Sequence, residues 1–311
     1  VSGDHGAAGA PEWASEQAVS ATEAAELVGA HFADLRGAPV RLLDTGWDNT
    51  VYLVGAEWVF RFPRRAIALP GMDREIAVLP PLAPRVPLPI PVPELVGTPS
   101  HGYPWCFWGA RLIPGRELAE ARLPDADRVG AAGELGEFLR ALHDPDLVPA
   151  VGAGLPDDPL RRADPGVRVP MARERLARLS EYGVWNPAVE ALLAEAELLG
   201  PPTGPVSVCH GDLHVRHLLV DENARAAGVI DWGDVCVADP AIDLSLVYSG
   251  FEGPARAALL AAYGPVGLER ETRARMLAVF LCAALAEYAA STDRAQLLAE
   301  SLTGIRRAVA G

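Results

Sequence analysis

The sequence predicts an α+β fold of two lobes, a small strand-rich first lobe and a larger, mainly helical second one. Three observations carry that expectation. Short apolar runs rich in β-branched and aromatic residues crowd between Val40 and Phe62. Helical spacing governs Asp127 to Leu142 and most of the chain after Asp231. Between these regimes Ile113-Pro114-Gly115 breaks any regular element. The expected parts are a loose tail over 1–20, a first lobe over 21–113 and a second lobe over 114–311. A cleft between lobes is a common place for a ligand.

Taken in order, Ala21 to His31 has helical spacing. Val40–Leu43, Thr50–Val54 and Trp58–Phe62 read as strands, with Thr45-Gly46-Trp47-Asp48-Asn49 as the turn between the first two. Asp73 to Leu79 is a short helix that runs into PPLAPRVPLPIPVPE, whose proline density predicts an extended segment. Tyr103 to Leu112 is a buried strand. Val206–Cys209 and His217–Val220 are strands on either side of a loop, and Ala226 to Ile230 is a further strand that ends at Asp231. Hairpin pairing of the last two strands would bring Asp231 beside His217.

A chain of 311 residues, half of them apolar, can bury a full core. No uninterrupted apolar run approaches the ~20 residues that span a bilayer. The opening VSGDHGAAGAPEW lacks the basic and apolar regions of a signal peptide. The four cysteines, Cys106, Cys209, Cys236 and Cys282, are scattered among apolar neighbours without metal-ligand spacing, so free thiols in a reducing cytoplasm are expected. A net charge of −14 argues against broad nucleic-acid or anionic-membrane binding and suits a cationic substrate, although an acidic surface also simply keeps a protein soluble. Every basic residue is Arg, so any phosphate-gripping role falls to Arg and no Lys nucleophile exists.

The stretch from Val206 to Ser245 carries the chemistry. It sets Asp212 in a loop between two apolar runs, in HGD, and Asp231 at the end of another, in GVID. Phosphoryl transfer needs two such carboxylates, one to orient and deprotonate the attacking hydroxyl and one to hold the metal that bridges the nucleotide phosphates.

HGDLHVRHLLVD, then GVIDWGD, then ADPAIDLS resemble the aminoglycoside phosphotransferase superfamily, relatives of the protein kinases, and within it the macrolide 2′-phosphotransferases. Most of the superfamily places Asn at the last position of H-G-D-L-x-x-x-H, where the macrolide enzymes tend to have His, as here in His217. The segment WVFRFPRR is similar to their W-V-L-R-x-P-R-R. The resemblance implies a protein-kinase-like fold and a first lobe that binds GTP or ATP with Mg²⁺. It also implies a macrolide acceptor phosphorylated on the 2′-hydroxyl of its amino sugar, with antibiotic resistance as the result. A cytoplasmic monomer is expected.

Residue by residue, the resemblance implies Asp212 as catalytic base and Asp231 as metal ligand. His217 stands on the metal side, either ligating or orienting Asp231, since Mg²⁺ prefers oxygen. His210 fixes the loop and His214 is exposed. Asp243 caps the following helix and braces the loop, while Asp239, before Pro240, is read as a capping residue. On the nucleotide side, the amides of Thr45, Gly46, Trp47, Asp48 and Asn49 approach phosphate, or form only a hairpin turn. Arg61 replaces the strand lysine with Glu75 as its ion-pair partner, and Ala110 to Ile113 form the hinge to the base. For the acceptor, the apolar helix Met276 to Tyr288 ends in Glu287 and Tyr288, read as contacts to an amine. Two alternatives stay open: an aminoglycoside or other amino-alcohol kinase on the same fold, and a nucleotide-binding module without transfer activity.

Overall fold

The computed structural model describes residues 15–310 apart from Trp47 and His101. Of these, residues up to Ala77 together with Val92–Leu112 form one compact unit, and Val78–Pro91 with Ile113 onward form the other.

The first unit is built on an antiparallel sheet. Helix α1 (Ala21–His31) starts in a capping box in which Ser20 accepts the Glu23 N–H and Glu23 reaches back to the Ser20 N–H. Strands β1 (Val40–Thr45), β2 (Asn49–Val54) and β3 (Trp58–Pro63) follow as a meander. Strands β4 (Leu95–Gly97) and β5 (Phe107–Arg111), which follow helix α2 (Leu69–Leu82), complete a sheet of order β1-β2-β3-β5-β4. Side chains alternate across β3. Phe60 and Phe62 face a core with Tyr52, Tyr103, Phe107 and, from α1, Ala24 and Val28. Arg61, between them in sequence, must point to the opposite face, where Met72 and Ile76 of α2 pack with Trp108.

Two expectations need correction here. Helix α2 runs on through Pro80 and Pro81, although the proline-dense segment was expected to be extended throughout. A proline φ is compatible with a helix, and what is lost is one hydrogen bond and some steric freedom. Burial of Val78, Leu79 and Leu82 offsets that cost. The expected loose tail lies outside the described residues over 1–14. From Ser15 onward the chain is tied down, because Glu16 and Gln17 donate to Arg64 O and the Tyr52 hydroxyl donates to Val19 O at 2.6 Å.

The second unit is mainly helical. After β6 (Arg116–Glu117) come α3 (Val129–Leu142), α4 (Leu147–Val151), α5 (Pro165–Arg178) and α6 (Pro187–Glu197). Four short strands follow: β7 (Ser207–Cys209), β8 (Leu218–Val220), β9 (Ala226–Val229) and β10 (Cys236–Ala238). Helices α7 (Ala241–Gly250), α8 (Gly253–Tyr263), α9 (Leu268–Ser291) and α10 (Ala295–Val309) close the chain. Helix α7 is buried along its whole length, and α9 packs against α5, α6, α7 and α10. Helix α9 is long and apolar enough to cross a membrane, but more than half of its apolar window is buried inside this unit. The short strands form two small sheets, β10-β7 and β6-β8-β9. Strand β10 escaped sequence reading because three residues carry no periodicity.

Candidate active site

Residues 210–217 form a loop held at both ends by strands. β7 enters it and pairs with β10, while β8 leaves it and pairs with β9. Gly211 sits at φ +90°, and a Cβ there would lie 2.1 Å from Asp234 O, so only glycine lets the two backbones approach so closely. Buried Asp243 accepts the N–H groups of His210 at 2.7 Å and Gly211 at 3.0 Å. His143 Nε2 donates to the same carboxylate at 3.2 Å. Burial works to raise the Asp243 pKa, but these donors outweigh it and hold the carboxyl below its usual range. Asp243 therefore braces the loop. It does not cap α7, whose Ala241 N–H goes instead to Asp239 at 2.8 Å.

Three imidazoles line the loop, and each proton can be placed from its partners. The Asp212 N–H donates to His210 Nδ1 at 3.2 Å, so the His210 proton sits on Nε2, which donates to Ile230 O at 2.9 Å. The Arg216 N–H donates to His214 Nδ1 at 3.3 Å, which puts the His214 proton on Nε2. His217 Nδ1 lies 2.7 Å from the Asp212 carbonyl oxygen, which can only accept. The His217 proton is therefore on Nδ1, and its Nε2 carries a lone pair. Burial pushes His214 and His217 down to about 3, so both are neutral at physiological pH. His214 was expected to be exposed and is instead 8% exposed. Its ring lies over that of His217, with centroids 3.8 Å apart.

The β8–β9 hairpin sets Asp231 beside this cluster. Ile230 N donates to His217 O at 2.9 Å, and Asp231 then adopts a left-handed φ of +67°. Such a conformation is rare outside glycine, and where it occurs it re-aims the side chain. Asp231 Oδ2 lies 3.5 Å from His217 Nε2. A lone pair and a carboxylate facing each other fit a cation, so these two residues could hold a divalent metal. Asp212 sits on the other side of His217, and its Oδ2 is 3.6 Å from His214 Nε2 and 3.9 Å from His217 Nδ1. Burial, reinforced by Asp234, raises the Asp212 pKa against the opposing pull of His217 and Arg162. Trp232, fully buried against His210 at 4.6 Å, anchors the turn after Asp231 through an Nε1–H to Val229 O.

Sequence reading missed three neighbours. Arg162 is buried and pairs through Nη2 with Asp234 Oδ1 at 2.9 Å. Only Asp234 had a signal, as the last letter of DWGD. His143, at the end of α3, had none, because its partner Asp243 is 100 residues away. The expected acceptor residues have partners of their own. The Glu287 carboxylate is bound by the guanidinium groups of Arg175 and Arg178, so it is not a free counter-charge for an amine. Tyr288 has the Arg216 and Arg294 guanidinium groups each 5.9 Å from its ring centroid.

In the other unit, Arg61 Nη1 bonds Glu75 Oε1 at 2.7 Å, with Arg61 8% and Glu75 1% exposed. Both partners of this pair are buried. The turn after β1 is tied by its own strand ends. Gly46 N donates to Asn49 O, Arg64 donates to Gly46 O at 2.6 Å, and Arg65 Nε bonds Asp48 at 2.9 Å. Thr45 is exposed, and the Thr45 N–H is occupied by Asp44 Oδ1. Trp47 lies outside the described residues. Ala110 is buried in β5 opposite Val59, and Ile113 is half-buried.

Comparisons with known proteins bear on this arrangement. The model of a family described as "Phosphotransferase enzyme family" matches residues 39–278. The uncharacterized protein YcbJ of Bacillus subtilis (strain 168) is 28% identical over 253 residues, 73% of this chain and 75% of that one. An aminoglycoside 3′-phosphotransferase of Streptomyces fradiae is 32% identical over 200 residues, 58% of this chain and 69% of its own. Among solved structures, the GDP complex of aminoglycoside 2′-phosphotransferase-IIIa superposes with a TM-score of 0.66 at 22% identity, covering 93% of this chain and 98% of that one. Macrolide 2′-phosphotransferase MphH from Brachybacterium faecium gives a TM-score of 0.60 at 22% identity, covering 91% and 97%.

Proposed function

The chain belongs to the phosphotransferase enzyme family, and we propose that it moves the γ-phosphoryl group of GTP or ATP onto the 2′-hydroxyl of the amino sugar of a macrolide, inactivating the drug. The observation that carries the transfer reading is the linkage of Asp212 to Asp231 through His217, whose two ring nitrogens face one carboxylate residue each. In this reading Asp212 takes the hydroxyl proton as the new oxygen–phosphorus bond forms. The bond from the γ-phosphorus to the bridging oxygen breaks, and the nucleoside diphosphate leaves. A raised pKa suits Asp212 as a general base, because a more basic carboxylate accepts the proton more readily. Asp231 and the His217 Nε2 lone pair would hold Mg²⁺, which supplies charge neutralisation at the phosphates.

On the donor side, Arg61 would hold phosphate oxygens, aligned by Glu75. The turn from Thr45 to Asn49 would lie near the phosphates without its Thr45 and Gly46 amides, which Asp44 Oδ1 and Asn49 O already hold, and Ala110 to Ile113 would meet the base. The enzyme is read as a cytoplasmic monomer.

The choice of acceptor class rests on charge. An aminoglycoside carries several amines and wants several free carboxylates. Here Asp234 is paired with Arg162, and Glu287 with Arg175 and Arg178. A macrolide carries a single amine and a large, mostly apolar ring, which asks less of such a surface. His217 in place of Asn, and the WVFRFPRR segment, favour the same acceptor. The aminoglycoside reading is supported by the 32% identity to the Streptomyces fradiae enzyme. Purified protein with GTP or ATP, Mg²⁺, and either erythromycin or kanamycin tests the choice by mass spectrometry. A phosphate-sized mass gain on erythromycin is expected. A gain on kanamycin alone would replace the macrolide reading with the aminoglycoside one, and no gain on either would remove both.

A further inference from the structure

His214 has no role in the reading above, yet it is buried and aimed at the base. Its Nδ1 is used up by the Arg216 N–H at 3.3 Å, so its single proton is on Nε2. That N–H faces Asp212 Oδ2 at 3.6 Å, a small side-chain rotation short of a hydrogen bond. The ring cannot turn away easily, because it lies over His217 with centroids 3.8 Å apart, and His217 is itself locked to the Asp212 carbonyl at 2.7 Å. The second N–H near the carboxylate, His217 Nδ1, also faces Oδ2, at 3.9 Å. The His217 Nδ1–H is already given to the Asp212 carbonyl, which leaves the His214 Nε2–H to approach Oδ2.

We propose that His214 is a positioning residue that fixes the Asp212 carboxylate by holding Oδ2 with its Nε2–H, leaving Oδ1 as the oxygen that takes the acceptor proton. The inference rests on Asp212 being the base. It adds to that reading a second residue and a choice between the two carboxylate oxygens. A carboxylate on a loop rotates about two bonds, and an orientational error alone can cost on the order of 10²-fold in rate. Because His214 touches neither donor nor acceptor in this account, its loss should appear in kcat and not in either KM.

The test compares His214→Leu, which removes the donor, with His214→Gln, whose amide N–H keeps one. His214→Leu is expected to lower kcat by on the order of 10²-fold with both KM values unchanged, and His214→Gln to recover most of the loss. Equal kcat in both variants, or a loss that falls on KM, would overturn the proposal. Asp212→Asn, measured alongside, separates the two layers. If Asp212→Asn keeps its turnover, the base assignment itself is wrong. If it is inactive while His214→Leu matches wild type, only the positioning role fails. A second measurement needs no variant for its readout. The ¹⁵N spectrum of wild-type His214 should show a protonated Nε2 and a lone pair on Nδ1, and the opposite tautomer would overturn the proposal outright.

Discussion

At the scale of single residues, the loop is governed by where protons sit and which charges are buried. Asp212 has its pKa raised by burial, so ionising it costs folding free energy. The stability that its neutral form supplies is present at low pH and is lost as pH rises through the raised pKa. Asp212→Asn should therefore melt above wild type at neutral pH, in a scan of the purified protein. Asp243 has the opposite sign. Its folded pKa is lowered, so its contribution is present above the unfolded carboxylate value and lost as pH falls through the folded one. Asp243→Ala would strand two buried N–H groups and His143, at about 1–3 kcal/mol for each orphaned group. Urea unfolding should show that loss. Asp212, Asp231 and Asp243 were legible because each sits in a short motif. The state of His214 was not, because burial and tautomer depend on Arg216 N and on a stacked ring, which no local pattern encodes.

At the scale of elements, the sheet of the first unit was largely legible. The β-branched and aromatic runs of β2 and β3 and the turn between β1 and β2 are local signals, and helix α1 carries its capping box in the sequence. Helix α2 was underestimated at its C-terminal end because its tertiary packing overrides Pro80 and Pro81, and at its N-terminal end where it opens on Leu69-Pro70-Gly71. The link between β3 and α2 is the Arg61–Glu75 pair, and breaking a buried pair from one side costs roughly 3–5 kcal/mol. Glu75→Ala should therefore lower stability, while Arg61→Ala should raise the donor KM more than the acceptor KM. An unchanged donor KM would mean that Arg64, Arg65 or the turn amides carry the phosphates. Strand β10 and the partner of Asp234 stayed hidden, since one is too short to show a period and the other, Arg162, is set only by the fold.

At the scale of the molecule, the chain has the kinase-like fold of its family, with an antiparallel-sheet lobe and a helical lobe. Its charge of −14 suggested an attraction for cations in general. The structure qualifies that, because carboxylates such as Glu287 and Asp234 are neutralised by arginine neighbours. Net charge was legible in the composition, whereas its local cancellation depends on the fold, for Glu287 on α5 packing against α9. The central claim, that Asp212 drives phosphoryl transfer to a hydroxyl, is tested most directly by measuring transfer and nucleotide affinity together in wild type and Asp212→Asn. The account predicts transfer by the wild type and a loss of on the order of 10²–10⁴-fold in the variant, with nucleotide affinity retained. Transfer at the wild-type rate by Asp212→Asn, or loss of nucleotide binding along with turnover, would contradict it.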